Sequence, residues 1–250
     1  MLPQIMLISC LVISELQDAQ GASAVSRQIL DDTLPADKRQ QLAAAQADRA
    51  AEVIAAMVAD LPGDNQQEEY RRIPWIWRVA IAAGRKNEAK PLATLLAATL
   101  PKEGGSLRDW QVVVIGGGII NGISLQGAWP KPRLEELLGR DEGLRRRWRQ
   151  AIEAASVMAD DAKVKTGTRY DALRMMALDP TEEHVAQLAK YLAKDSDEEL
   201  QMGAVSGLAD IESEAVAGLL AAALLYVAVI TTFLGELAGQ LLSVASVYPL

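Results

Sequence analysis

Residues 169–224 contain nearly the same pattern of small and apolar residues twice. The matching positions, offset by 32 residues and then by 31, are Ala172-Leu173 with Ala204-Val205, Met176-Ala177 with Leu208-Ala209, Val185 with Val216, and Leu188 with Leu219. Each copy has the spacing of a short amphipathic helix, a tight turn and a second amphipathic helix. A repeat of this length is the sequence signature of stacked helical pairs, so the pattern predicts an α-solenoid.

The composition favours an all-α protein. Half of the 250 residues are hydrophobic but only 4% are aromatic, and the abundant alanine and leucine are strong helix formers. β-Branched runs are few, the main one being Val112 to Ile115. The predicted fold is therefore an all-α, HEAT-like α-solenoid of antiparallel helix pairs with a right-handed superhelix. It covers residues 1–224, and an apolar tail at residues 225–250 follows it.

Upstream of the repeat the helical pattern is less regular. The predicted helices are residues 4–20 ending at Gly21, 35–61, 69–84 with a kink or a start near Pro74, 87–100 capped by Asn87, 107–127, 133–138 and 144–160. Further along the chain, capping signals are Thr168 with Asp171, Asp179-Pro180 with Glu182, Ser196 with Glu199, and Ser213. Such side chains satisfy the free N–H groups at a helix N-terminus.

Charge and rare residues exclude several classes of function. The net charge of −8 and the pI near 4.9 argue against a nucleic-acid binder, which needs a basic face to neutralise phosphates. The single cysteine, Cys10, excludes an internal disulfide, a Cys-rich zinc site and a C-x-x-C-H haem attachment in this sequence. The single histidine, His184, leaves little room for triad or His-based metal chemistry, and we predict that it lies at the surface.

A glycine run resembles a dinucleotide-binding loop. Val112 to Ile115 is followed by glycines at 116, 117 and 118, as in the opening turn of a Rossmann unit. The third glycine position of that motif holds Asn121, and no second strand with a terminal acid follows about 20 residues on. We therefore reject Gly116, Gly118 and Asn121 as a cofactor site and predict that the small residues let a neighbouring helix approach closely. No cofactor is predicted.

Two clusters of tryptophan and arginine are candidate interaction surfaces: Trp75, Trp77 and Arg78 in one predicted helix, and Arg145, Trp148 and Arg149 in another. Both residue types are enriched at binding hot spots. The two indoles of the first cluster, two positions apart, cannot both face the core, so one of them lines a groove or each packs against a different helix. The alternative for the second cluster is a solvated helix face paired with local acids.

Each end of the chain contains an apolar segment that has two interpretations. The 21 residues from Ala215 to Gly235 carry no charge, which is long enough for a membrane span. The first ten also complete the second repeat copy, and no Lys or Arg follows Lys194 to form a cationic flank. A docked terminal helix is therefore the main alternative. At the other end no positive residue precedes Arg27, so a first helix is favoured over a cleavable signal.

Four stretches together resemble a known family. Arg169-Tyr-Asp-Ala-Leu-Arg and Gly203-Ala-Val-Ser-Gly-Leu-Ala-Asp-Ile-Glu-Ser look like HEAT-type repeats. With Arg72-Ile-Pro-Trp-Ile-Trp-Arg and Gly116-Gly-Gly-Ile-Ile-Asn-Gly, they resemble the helical-repeat segment of large exported bacterial membrane-bound dehydrogenases that carry a c-type cytochrome module. The similarity spans about residues 16–224. The resemblance implies a periplasmic or membrane-associated location and a propeller-like region before the repeats. This sequence carries over no redox residues.

The sequence thus predicts a non-catalytic helical-repeat scaffold or protein-interaction module, expected to be a fragment of a larger multidomain protein. Its expected partner is another protein or neighbouring domains. The alternative is an accessory module of an exported haem-dependent membrane-bound dehydrogenase, with catalysis outside this chain. An enzyme that binds FAD or NAD at residues 116–118 is the least favoured interpretation.

Overall fold

The computed structural model describes residues 20–61, 65–100, 109–193, 196–211, 216–218 and 221. Within these residues the regular structure is entirely helical, which confirms the predicted all-α class. The helices are α1 (described residues 20–29), α2 (Ala36–Ala44), α3 (Ala50–Ala59), α4 (Gln66–Lys86), α5 (Ala89–Thr99), α6 (Asp109–Leu125), α7 (Pro130–Leu138), α8 (Glu142–Asp160), α9 (Thr166–Met176), α10 (Glu182–Lys190) and α11 (Glu198–Ala209).

Helix α6 is the centre of the core. Every residue from Gln111 to Ile120 is buried, whichever side of the helix it occupies. A helix that is apolar all round is a core helix, and α6 accordingly packs along α4 and α9 and also contacts α5, α7 and α8. Helix α9 in turn packs along α11, so that α4, α6, α9 and α11 follow one another in an unbroken series of contacts.

The predicted helix over residues 35–61 is interrupted. A 3-10 turn at Ala47–Arg49 separates α2 from α3. Residues Ala43, Ala47 and Ala50, on the two sides of and within this break, are all buried. One other boundary was also predicted wrongly, since Gly21 lies inside α1. Helix α4 begins at Gln66, close to the predicted start of the range 69–84, and Pro74 lies inside it, so the alternative of a start near Pro74 is wrong.

Several capping residues differ from those predicted. Residue Asn87 adopts a left-handed conformation with φ 53° and ends α4 instead of starting α5. Helix α10 is capped by the Thr181 hydroxyl and α11 by the Asp197 carboxylate, one residue after the predicted Ser196. Residue Thr168 caps nothing, because α9 begins earlier, at Thr166, and both Thr168 and Asp171 are buried inside it. The predicted cap at Ser213 lies outside the described residues.

In the part of the chain that the structure describes, no helix combines the length and the apolar character needed to cross a bilayer. Most of the uncharged stretch from Ala215 to Gly235 lies outside that part, as do Cys10 and the predicted helix over residues 4–20, apart from residue 20. Residue Val216, which repeats Val185 in the second copy, is described and buried.

Candidate functional site

A groove of about 500 Å³ opens where α4, α9 and α11 meet, with Asn121 of α6 at one side. We call it the α4–α9–α11 groove. Its walls are mainly apolar and aromatic, and two carboxyl groups lie among them. The lining residues are Ile73, Pro74, Trp77, Arg78, Asn121, Gly167, Tyr170, Asp171, Glu199 and Met202.

The two tryptophans of α4 lie in different environments. The indole of Trp75 is buried between two guanidinium groups, with Arg39 at 4.5 Å and Arg78 at 5.0 Å from the ring centroid. The indole of Trp77 lies in the groove, and its Nε1–H donates a 2.9 Å hydrogen bond to Oδ1 of Asp171. Of the predicted cluster, Trp77 and Arg78 therefore line the groove, whereas Trp75 packs inside.

The carboxyl group of Asp171, which lines the groove, has a strongly raised pKa. It is buried on α9 and faces α6, where a Cβ added at Gly117 would lie 2.5 Å from its Oδ1. Burial in an apolar surrounding raises the pKa of Asp171 well above its usual range, and the nearby Glu199 adds to the rise. The hydrogen bond from Trp77 and the positive charge of Arg174 oppose that rise without cancelling it.

A buried ion pair lies behind the groove. The guanidinium of Arg174 donates from Nη2 to Oδ2 of Asp210 at 2.6 Å and to Oγ of Ser124 at 2.9 Å. The side chain of Arg174 is only 4% exposed and that of Asp210 is 12% exposed. Among the described residues, Nε of Arg174 has no hydrogen-bond partner. The pair therefore ties α9 to α6 and to the end of α11 in a site with little solvent.

The second predicted cluster comes together in a different place. Residues Arg145, Trp148 and Arg149 line a pocket of about 330 Å³ beside α7 and α8, together with Lys131. The indole of Trp148 is buried, and Nε of Arg145 donates to the Gly139 carbonyl at 2.7 Å. Three carboxylates line the same pocket: Glu135, Glu142 and Asp179. Their charges balance the three cations, so the pocket offers no net positive field to an anion.

The rejected cofactor motif lies inside α6. Residues 109–125 form one helix, so Gly116 and Gly118 do not form the strand–turn–helix that a dinucleotide site requires. A Cβ at Gly116 would lie 2.6 Å from Sδ of Met175, and one at Gly118 would lie 2.7 Å from Cβ of Ala80. The glycines thus allow α4 and α9 to approach α6 closely, as the sequence predicted, while Asn121 lines the groove.

Local sequence patterns did not reveal Asp171, Arg174, Tyr170, Glu199 or Met202 as groove or cluster residues. One signal was present. At the repeat offset of 32, Asp171 corresponds to Gly203 and Arg174 to Ser206, so charged residues in one copy replace small ones in the other. Charges that a repeat does not share mark a feature that belongs to one copy only.

Comparison with known proteins gives no relative from which a function could be transferred. The chain matches no protein-family model, no curated protein and no solved structure.

Among the described residues, no three His, Cys, Asp or Glu side chains are grouped so that they could hold a metal ion. The histidine His184 is half-buried, and its Nδ1 lies 2.6 Å from the Asp179 carbonyl oxygen in the turn before α10.

Proposed function

We propose that the chain is a HEAT-like α-solenoid of antiparallel helix pairs with a right-handed superhelix, and that it acts as a non-catalytic scaffold for a protein partner. The observation that carries this proposal is the contact between the two repeat copies. A Cβ at Gly203 of α11 would lie 2.9 Å from Cδ2 of Tyr170, and one at Gly207 would lie 3.1 Å from Cβ of Ala177. Residues about one repeat apart thus touch each other.

The direction of these contacts supports stacking of equivalent helices. Moving from Gly203 to Gly207 along α11 moves the neighbouring residue from Tyr170 to Ala177 along α9, so both helices run the same way. The contact between α4 and α6 has the same sense, since Gly118 lies against Ala80 and Gly122 against Arg85. Parallel stacking of every second helix is the arrangement expected when each helical pair is one repeat unit.

A stack of this kind favours binding over chemistry. Each unit contacts only its neighbours, so grooves form where units meet and side chains of several helices line them. The α4–α9–α11 groove is lined by side chains of several helices, contributed by α4, α6, α9 and α11. Its aromatic and arginine side chains are types that are enriched at protein interfaces.

The proposal is tested by isolating a partner and rebuilding the complex. The full chain, tagged and expressed in the cells that naturally produce it, is used for affinity purification, and each co-purified protein is then produced separately. We expect one of them to form a defined complex with the purified chain on size-exclusion chromatography. A haem-bearing partner would specify the accessory role that the family resemblance implies. A chain that forms no complex and turns over a substrate by itself would contradict the proposal.

A further inference from the structure

We propose that the α4–α9–α11 groove receives a lysine or arginine side chain, with its apolar neighbours, from a segment of the partner protein. This inference rests on the scaffold function proposed above and specifies the chemistry of the partner. It is carried by three observations: the apolar walls of the groove, the two carboxyl groups among them, and the engagement of the nearby cations elsewhere.

The walls suit a long side chain that is apolar along its stem. The indole of Trp77 and the ring of Tyr170 face the groove from α4 and α9, and Met202 lies on α11 with 61% of its surface exposed. The volume of about 500 Å³ falls within the range of small-molecule sites. The stems of lysine and arginine pack along apolar surface, and their charged ends are attracted to aromatic faces.

The groove carries two carboxyl groups, Asp171 and Glu199, and one cation, Arg78, whose guanidinium is held against Trp75. The carboxyl group of Asp171 and that of Glu199 come from different helices, and Glu199 Oε1 would lie 3.4 Å from a Cβ at Gly167. The net charge of the whole chain, −8, also attracts basic partners over longer distances. An anionic segment would place like charge beside Glu199, and a wholly apolar one would bury the carboxyl group of Glu199 without a counter-charge.

The cations of this region are already engaged. The guanidinium of Arg78 stacks over Trp75, and its Nη1 donates to the Pro74 carbonyl at 2.9 Å. The guanidinium of Arg174 is held by Asp210 and Ser124 behind the groove. A buried carboxyl group is normally paired with a charge or with several hydrogen-bond donors. For Asp171 the hydrogen bond from Trp77 is the one that the described residues provide.

Binding of a cation is expected to be coupled to a proton. Burial raises the pKa of Asp171, and the groups that face it are Trp77 from α4, Arg174 from its own helix and Glu199 from α11, while α6 presents Gly117. An ammonium or guanidinium group brought beside Asp171 lowers that pKa again, so binding releases a proton. The affinity should therefore increase with pH.

The experiment selects peptides on the intact protein. Random twelve-residue peptides are displayed and selected against the full chain, and the selected sequences are synthesised with lysine or with norleucine, which keeps the four-carbon stem of lysine and lacks the ammonium group. We expect selected peptides to contain a lysine or arginine flanked by apolar residues. Replacement of that lysine by norleucine should weaken binding about tenfold in calorimetry, as expected for loss of one charge-assisted contact.

Matched variants locate the binding site. Residue Glu199 lines the groove, whereas the preceding Glu198 is exposed outside it. The variant Glu199→Gln should weaken the lysine peptide several-fold and leave the norleucine peptide unchanged, and Glu198→Gln should alter neither. Binding should also move the indole N–H resonance of Trp77, which is assigned from the spectrum of Trp77→Phe.

Four results would overturn the inference. They are the absence of any selected peptide, selected peptides without a cation, equal binding to Glu199→Gln and the wild type, and a self-associated chain whose groove is closed by a second copy. The reconstituted partner separates this failure from a failure of the scaffold function. If the partner still binds the wild type while the lysine peptides do not, the groove assignment is wrong and the scaffold function stands. If the partner fails as well, both are wrong.

Discussion

Helix α6 contacts α4 on one side and α9 on the other through glycines, but the two contacts are built from different atoms. On the α4 side, a Cβ at Gly122 would lie 2.7 Å from both Arg85 N and Gly84 Cα, and closer still to the Ile81 carbonyl oxygen. On the α9 side, a Cβ at Gly116 would meet the side chain of Met175. Backbone meets backbone at the first contact, and backbone meets side chain at the second.

The contact of Gly122 with α4 is fixed, whereas the contact of Gly116 with α9 is adjustable. Backbone atoms of two helices cannot move apart without displacing whole helices, so this contact fixes the position of α4 against α6. Side chains of α9 can change rotamer, and this side also holds Asp171 and the ion pair of Arg174 with Asp210. At Gly116 the contact with α9 can therefore adjust through the Met175 side chain, whereas at Gly117 it meets the Cβ of Asp171, which no change of rotamer moves.

The largest effect is expected at Gly122. The variant Gly122→Ala places a methyl group against the backbone of α4, and we expect the free energy of unfolding to fall by about 3 kcal/mol or more. Denaturant unfolding followed by circular dichroism measures this. The control is Gly218→Ala, where no atom of the described residues lies within 4 Å of the added Cβ. An equal loss in both variants would show that the loss comes from replacing any glycine by alanine, and not from the close contact with α4.

The ion pair should give the next largest effect. Residues Arg174 and Asp210 are paired at 2.6 Å, and Arg174 is almost fully buried. We expect Arg174→Met or Asp210→Leu alone to lower the free energy of unfolding by about 2 to 3 kcal/mol, because each leaves an uncompensated charge in the interior. The double variant should lose less than the sum of the two, since it removes both charges. Additive losses in the double-mutant cycle would contradict this coupling.

A pH effect is expected from Asp171. Its folded-state pKa is raised above the ordinary value of 3.8, so its protonated form is favoured in the folded protein. Its contribution to stability is complete below pH 3.8 and is lost as the pH rises through the folded pKa. The variant Asp171→Asn should therefore gain in stability relative to the wild type as pH increases. Parallel pH profiles of unfolding for the two proteins would show that Asp171 titrates normally.

The smallest effect is expected at Gly116. The atoms nearest to an added Cβ there are the Sδ and Cε of Met175, the far end of a flexible side chain. The variant Gly116→Ala should change the free energy of unfolding by less than about 1 kcal/mol, because alanine also favours the helix. A loss as large as that of Gly122→Ala would remove the distinction between the two sides of α6.

The sequence predicted the helical elements better than their ends. A continuous apolar pattern marked α6, and the starts of α10 and α11 were missed by one or two residues because Thr181 and Asp197 adjoin the predicted caps. The pair Thr168 and Asp171 has capping-box spacing, but this spacing also fits two buried positions on one helix face. A short polar motif does not distinguish these two environments.

The candidate site was predicted only in part. Residues Trp77 and Arg78 were recognised as an interaction feature from their residue types, and both line the groove. Their partner Asp171 lies 94 positions along the chain, and the hydrogen bond between Trp77 and Asp171 depends on how α4 and α9 pack around α6. No local spacing in the sequence reports such a contact. The one sign of this feature in the sequence was that Asp171 and Arg174 correspond to small residues in the second repeat copy.

The proposed function of these packed helices is to bind a protein. Its most direct test is calorimetric titration of the purified partner, obtained by the affinity purification described above, into the wild-type chain and into Gly116→Ala. We predict saturable binding with one partner per chain in both cases, since neither the groove lining nor the α4–α6 contact is altered. Absence of any binding to the folded wild-type chain, together with catalytic turnover by that chain alone, would contradict it.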